Sequence, residues 1–290
     1  MPIDAVALRF LLIWSVFLSG SALTLFVIGR VCKRRLVSRL LTWIPIFVLL
    51  FGAIFAGNWG FFILIVALFF LCHWELARLA AQSGLLSHVF ALALALPWLA
   101  LMQFHHVPAG VFLSLLLFSG LLVYLALFLK QGHQWRIVPF AMMLGVGFSF
   151  WILLGRTGGF RLVLFVFSVT AFNDMMAFFF GMMWGGRRPF PRLSPNKTSA
   201  GYLGGCLSAV VAAHVFRFAV PELGPAGVTL AGILLAVAGS LGDLLASKIK
   251  RIHNVKDFGS LMGVMGGVFD RCDSLLPSAW VFAILFLYLL

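Results

Sequence analysis

The sequence predicts an all-α, polytopic integral membrane protein with about ten transmembrane helices. Three observations predict it. The 290 residues are 63% hydrophobic and only 10% charged, with a mean hydropathy of +1.11; a soluble fold needs a polar exterior that such a chain cannot supply. Several uncharged runs reach about 18 residues or more, which as helices match the hydrocarbon thickness of a bilayer. The lysines and arginines gather in alternate intervals between these runs, as topology signals do.

Taken in order, the apolar runs place spans at 5–29, 40–57, 60–77, 88–104, 110–129, 138–155, 162–184, 200–219, 226–246 and 275–290. The first is long for a signal-peptide core, and its cationic flank follows it, so it reads as a retained span. The third ends in "HWELARLA", the seventh carries Asp174 and the ninth carries Asp243. All are apolar around their full circumference, which favours helices over barrel strands. Residues 1–160 form an N-terminal group of helices. Residues 161–290 form a C-terminal group that holds the polar motifs and the longest polar interval, 247–274.

With both termini outside, the inner intervals hold 17 of the 21 lysines and arginines. Intervals 185–199 and 247–274 then face the cytoplasm. Arg9, Arg156, Arg161 and Arg217 fall on the other side, and topology does not explain Arg156 or Arg161. The net charge of +13 reads as topology signal and headgroup contact, which sets nucleic-acid binding aside. Cys32, Cys72, Cys206 and Cys272 form no C-x-x-C pair, so neither a disulfide framework nor a zinc site is expected.

Only eight residues are acidic. Asp4 and Glu222 fall in short outer segments and read as solvated. Glu75 reads as a headgroup-level salt bridge to Arg78, three residues on along a helix. Asp174 sits in the middle of "LVLFVFSVTAFNDMMAFFFGMMW", where a carboxylate costs about 2.5–3.5 kcal/mol and must face a protein interior or a wet cavity. Asp243 in "AGSLGDLLAS" is comparable. Asp270 and Asp273 share a helix face in "DRCDS", where plain capping is the simple alternative. Together with Asp257, they put five of the eight acids in the last two-fifths of the chain. Clustered oxygens suit a hard divalent cation, and Mg²⁺ is usually held by one or two carboxylates plus substrate phosphates.

Cations and glycines accompany these acids. "SPNKTSAGYLGG" follows the basic loop "GGRRPFPRL", and a lysine among Ser, Thr and Asn at the start of a span suits a phosphate. It is not a Walker A loop. "SKIKRIHNVKD" and "GVMGG" complete the set, although each alone reads as a positive-inside loop or a helix-packing patch. Acids for Mg²⁺, cations for phosphates and glycines for close backbone approach suit phosphoryl or nucleotidyl transfer at a membrane face.

These motifs resemble the CDP-diacylglycerol synthase (phosphatidate cytidylyltransferase) family over about 174–274. The signature S-x-x-K-R-x(4)-K-D-x-G is matched by Ser247, Lys250, Arg251, Lys256, Asp257 and Gly259. H-G-G-x-x-D-R-x-D is matched by Gly266, Gly267, Asp270, Arg271 and Asp273. The upstream blocks are matched by Asp174, Ala177 and Gly181, and by Ser194, Pro195, Lys197, Thr198 and Gly201. Two sites depart: Met265 stands where the signature has histidine, with the preceding proline also replaced in "MGVMGG", and Ala200 stands where the family usually has glutamate. Methionine neither exchanges protons nor binds Mg²⁺ well.

The resemblance implies that phosphatidate attacks the α-phosphorus of CTP in the membrane, releasing pyrophosphate and CDP-diacylglycerol. It implies Mg²⁺ held by Asp243 and Asp270, with Asp273 and Asp174 as further ligands, and a monovalent cation such as K⁺ as a second ion. Lys250, Arg251, Lys256, Asp257 and Arg271 join the catalytic set; Ser194, Lys197, Thr198, Gly266 and Gly267 join the substrate-binding set. It also implies a bacterial inner-membrane location, a cytoplasmic site and a homodimer. Three other readings stay open: a different lipid phosphate as acceptor, motivated by Met265 and Ala200; a non-catalytic lipid-binding paralogue; and a transporter using Asp174, against which stands the lack of an inverted repeat.

Overall fold

The computed structural model describes residues 3–24, 45–79, 85–104, 137–262 and 266–289. Among these the chain is helical, with no strand. The helices are α1 Ile3–Thr24, α2 Pro45–Phe55, α3 Gly57–Leu79, α4 Leu85–Phe104, α5 Ile137–Thr157, α6 Phe160–Trp184, α7 Ser199–Val215, α8 Pro225–Ile252, α9 Phe269–Cys272 and α10 Leu275–Leu289. A 3₁₀ turn at Arg217–Ala219 follows α7. Among the described residues four stretches are long and apolar enough to cross a membrane: Gly57–Leu79, Phe140–Thr157, Phe160–Trp184 and Pro225–Ile252. The span expected at 110–129, the start of that at 40–57, and Cys32 lie outside the described residues. Cys72, Cys206 and Cys272 are free thiols.

Helix α6 is the axis. Its first half, from Phe160 to Asn173, is buried almost without a break, as expected of a helix wrapped by others rather than by lipid. α7 lies closest to it because small residues line the seam: Cβ atoms at Gly201 and Gly205 would fall 2.7 Å from the Ala177 carbonyl oxygen and 2.9 Å from Asn173 Oδ1. Side chains there would push the helices apart, the usual reason for small residues between spans. The glycines after Lys197 therefore serve helix packing. α8 packs on α7 in the same way at Gly232, whose Cβ would sit 2.8 Å from Val210 Cα. On the opposite flank Trp14 of α1 donates from Nε1 to Ser168 Oγ at 3.0 Å, and Phe10 stacks on Phe216 with centroids 4.7 Å apart.

Two expectations change. The span placed at 226–246 continues to Ile252, because Ser247–Ile252 carries a half-buried face (Ser247 and Ile249 are buried) that packing keeps helical beyond the apolar run. Glu222 is not simply solvated. Arg161 grips it with both terminal nitrogens, Nη1 at 2.8 Å, and also donates to the carbonyls of Ala219 at 3.0 Å and Gly158 at 2.9 Å. This clamp fixes the turn between α7 and α8 to the start of α6, and it explains an arginine that topology could not.

Candidate functional site

The functional side chains gather where α3, α6 and α8 end and where α7, α9 and α10 begin. Asp174 lies ten residues before the end of α6, and Asp243 nine before the end of α8. At about 1.5 Å per residue they sit roughly 14–15 Å below those helix ends. These two carboxylates are set back from the helix ends, whereas Lys250 stands two residues from the end of α8.

Asp270 is the most committed carboxylate, its side chain 5% exposed. Its Oδ1 accepts from Lys250 Nζ at 2.7 Å. Its Oδ2 accepts from the backbone N–H of Phe258 at 3.0 Å and of Gly267 at 2.9 Å. Lys250 comes from the last turn of α8, where a cation is favoured by the helix dipole, so one carboxylate joins a helix end to both limbs of the following loop. The bond back to Gly267 reaches an amide before α9, whose N-cap residue Val268 makes no side-chain cap, so it ties down the loop rather than capping the helix.

A second ion pair joins Lys197, from the loop before α7, to Asp243 of α8. Burial works against the Lys197 ammonium, but the Asp243 charge and its hydrogen bond, with Tyr202 and Asp174 nearby, together hold the lysine above its ordinary range. Asp174 and Asp273 have no cation partner among the described residues. Instead Ser274 serves both: its hydroxyl donates to Asp174 Oδ2 at 2.7 Å, and its N–H to Asp273 Oδ1 at 2.8 Å. Asn173 Nδ2 also donates to Asp174 Oδ1 at 3.0 Å. Burial, and then the nearby charge of Asp243, hold the Asp273 carboxyl well above the usual carboxylate range.

Four carboxylates thus share two lysines. Among the described residues no three His, Cys, Asp or Glu converge into a protein-only metal cage. The donor set instead fits Mg²⁺ bound by one or two carboxylates and completed by substrate phosphates, since the oxygens of Asp174, Asp243, Asp270 and Asp273 lie close together and Asp174 and Asp273 have no ion pair among the described residues.

The other predicted residues divide. Thr198 caps α7, its hydroxyl accepting from Gly201 N at 3.2 Å, and Ser194 closes the preceding turn through its carbonyl, 3.3 Å from Lys197 N. Gly266 adopts φ +85°, a left-handed conformation that costs glycine nothing, and Asp257 lies beside it, 3.3 Å from where a Cβ would stand. Arg251 and Lys256 are exposed at this end without an ion pair among the described residues, and Arg271 is half-buried. Met265 lies outside the described residues.

Glu75 is the carboxylate that sequence reasoning misplaced. It is not paired with Arg78, whose guanidinium lies over the Trp74 ring at 4.0 Å. It is 1% exposed, and it accepts from the backbone N–H groups of Val268 and Phe269, each at 2.8 Å. Its scarcity value was the available signal: one of eight acids, inside a span, demands a partner.

Fold and site together define a class, a helical membrane protein whose cluster of carboxylates and lysines is suited to phosphate chemistry. The chain belongs to the cytidylyltransferase family, whose model matches residues 37–289. It is 31% identical over 261 residues to the phosphatidate cytidylyltransferase of Brucella abortus biovar 1, covering 88% of this chain and 93% of that one. It is 29% identical to the phosphatidate cytidylyltransferase of Staphylococcus haemolyticus, covering 81% and 90%. The uncharacterized protein YnbB of Escherichia coli is 36% identical over 152 residues, about half of each chain.

Proposed function

We propose that this protein is a phosphatidate cytidylyltransferase of the inner membrane, making CDP-diacylglycerol from CTP and phosphatidate. The observation that carries the reading is the convergence of the Asp174, Lys197, Asp243, Lys250, Asp270 and Asp273 side chains in one site, in a chain that matches phosphatidate cytidylyltransferases over most of its length. A phosphate oxygen of phosphatidate forms a bond to the α-phosphorus of CTP, the bond from that phosphorus to the β-bridging oxygen breaks, and pyrophosphate leaves. No protein nucleophile is required; the work is positioning and charge neutralisation.

Asp243 and Asp270 would hold Mg²⁺, with Asp174 and Asp273 alongside, and the ion would neutralise charge building on the triphosphate. Lys197 and Lys250, which neutralise carboxylates in the structure, carry the ammonium groups nearest to bind phosphate oxygens. Arg251 and Lys256 are exposed at this end and draw in anionic substrates. The proposal extends to about ten crossings, outside termini, a cytoplasmic site where CTP is found, and a homodimer.

Purified protein incubated with labelled CTP, Mg²⁺ and phosphatidate should yield a CDP-lipid and pyrophosphate, and Asp270→Asn should abolish product while the protein still inserts. Wild-type-like turnover in Asp270→Asn would remove the metal assignment. A second acceptor is favoured by one observation, Ala200 in the first turn of α7 close to Lys197, and a panel of lipid phosphates in the same assay separates the two.

A further inference from the structure

The Glu75 carboxylate stands 193 residues before the loop it binds and outside every motif matched above. Its two oxygens are divided between consecutive amides: Oε1 takes Val268 N–H and Oε2 takes Phe269 N–H, both at 2.8 Å. The amide just before these, Gly267 N–H, goes to Asp270. Three successive N–H groups are therefore curled between two carboxylates, one from α3 and one from the site. The backbone that carries Asp270 and Asp273 is held from behind by Glu75.

The glycines of the signature agree with this geometry. A Cβ at Gly267 would lie 2.4 Å from Glu75 Oε2 and 2.6 Å from Oε1; one at Gly259 would lie 2.5 Å from Oε1. Both limbs of the loop close on the same carboxylate, and both are bare where they meet it. Burial makes the arrangement stringent, because an ionised group out of water must be fully hydrogen-bonded. Two backbone N–H groups in the direction of a carboxylate satisfy it without a lysine or arginine.

We propose that Glu75 is a positioning residue for the transfer site, and that Gly259 and Gly267 are glycine to admit its carboxylate rather than to admit substrate. Glu75 touches no reacting group. It acts by fixing residues 267–269, and through them the direction of Asp270. The kinetic part of this inference rests on the cytidylyltransferase reading; the structural part does not.

The test uses the full chain in detergent with Glu75→Ala, which removes both acceptors, and Glu75→Gln, which keeps the size and one acceptor oxygen. Two quantities are read: kcat and KM for CTP per folded molecule, and hydrogen exchange of the peptide spanning 258–272. A misplacement of about 1 Å costs roughly 100-fold in rate, so Glu75→Ala should lose about that much kcat with KM for CTP changed far less. Glu75→Gln should fall between Ala and wild type. Exchange should rise in 258–272 and stay unchanged in α6 and α7. Wild-type kcat per folded molecule, with only the yield or melting temperature lowered, would overturn the positioning role; so would unchanged exchange in 258–272. Should Glu75→Ala fail to fold, Glu75→Gln carries the same two readouts. Should the wild type make no CDP-lipid, the functional reading fails separately, and exchange alone decides whether Glu75 holds the loop.

Discussion

Replacing Lys250 by methionine keeps the aliphatic stem and removes the ammonium that lies 2.7 Å from Asp270 Oδ1. The two side chains are 13% and 5% exposed, so the change leaves a buried carboxylate without its cation. Breaking a buried pair from one side costs about 3–5 kcal/mol. Asp270 keeps two backbone donors, Phe258 N at 3.0 Å and Gly267 N at 2.9 Å, which puts the expected loss near the low end, about 3 kcal/mol. Asp270→Asn alone strands the ammonium and should cost about 2 kcal/mol. The double variant buries no net charge and should cost only about 1–2 kcal/mol, well below the sum of the singles. At about 2–4 °C per kcal/mol, Lys250→Met should lower the melting temperature by roughly 6–12 °C. Thermal unfolding in detergent, followed by the fluorescence of the tryptophans, reads all three variants. Single losses below about 1 kcal/mol that simply add would refute the reasoning, because solvated pairs behave that way.

Two further outcomes follow from geometry elsewhere. Gly242→Ala would put a Cβ 2.2 Å from the Asp273 carbonyl oxygen and 2.5 Å from Pro277 Cγ; overpacking against backbone costs about 1–3 kcal/mol or more, and both the melting temperature and turnover should fall, whereas unchanged values would show that α8 can slide away from the site. The Arg161 guanidinium beside Glu222 holds that carboxyl below its usual range. A depressed carboxyl contributes stability that is complete above its unfolded pKa of about 4.3 and is lost as the pH falls through the folded value. An acid titration of stability should therefore be flatter in Arg161→Met than in wild type below about pH 4.5, by an amount in the range of about 0.2–1 kcal/mol for a partly exposed pair. A steeper or identical profile in the variant would count against the clamp.

Hydropathy was enough to place the long described helices, though not the short α9 at Phe269–Cys272, because bilayer thickness and apolar run length are set by the same physics. It found α3, α5 and α6 to within a few residues, and it stopped short at α8, where packing rather than lipid keeps Ser247–Ile252 helical. The carboxylates of the site were legible for the opposite reason: Asp174 and Asp243 stand out against a background with eight acids. Their partners were not. Lys197 meets Asp243, Ser274 meets Asp174, and Glu75 meets Val268 and Phe269, all across long stretches of chain. No local period or spacing encodes such contacts. Glu75 and Arg78 have the helical spacing of an ion pair, yet the Trp74 ring, four residues before the arginine, takes Arg78 and two backbone amides take the carboxylate.

The hold of Glu75 on residues 268 and 269 also sets a timetable. A ribosome adding about 5–20 residues per second releases Val268 some 10–40 seconds after Glu75. Throughout that interval α3 carries a carboxylate with its eventual donors still unmade, and water or the insertion machinery must shelter it. The contact that buries the α3 carboxylate is therefore completed only by residues 268 and 269, near the end of synthesis. A chain cut before Val268 would lack both backbone donors that Glu75 uses.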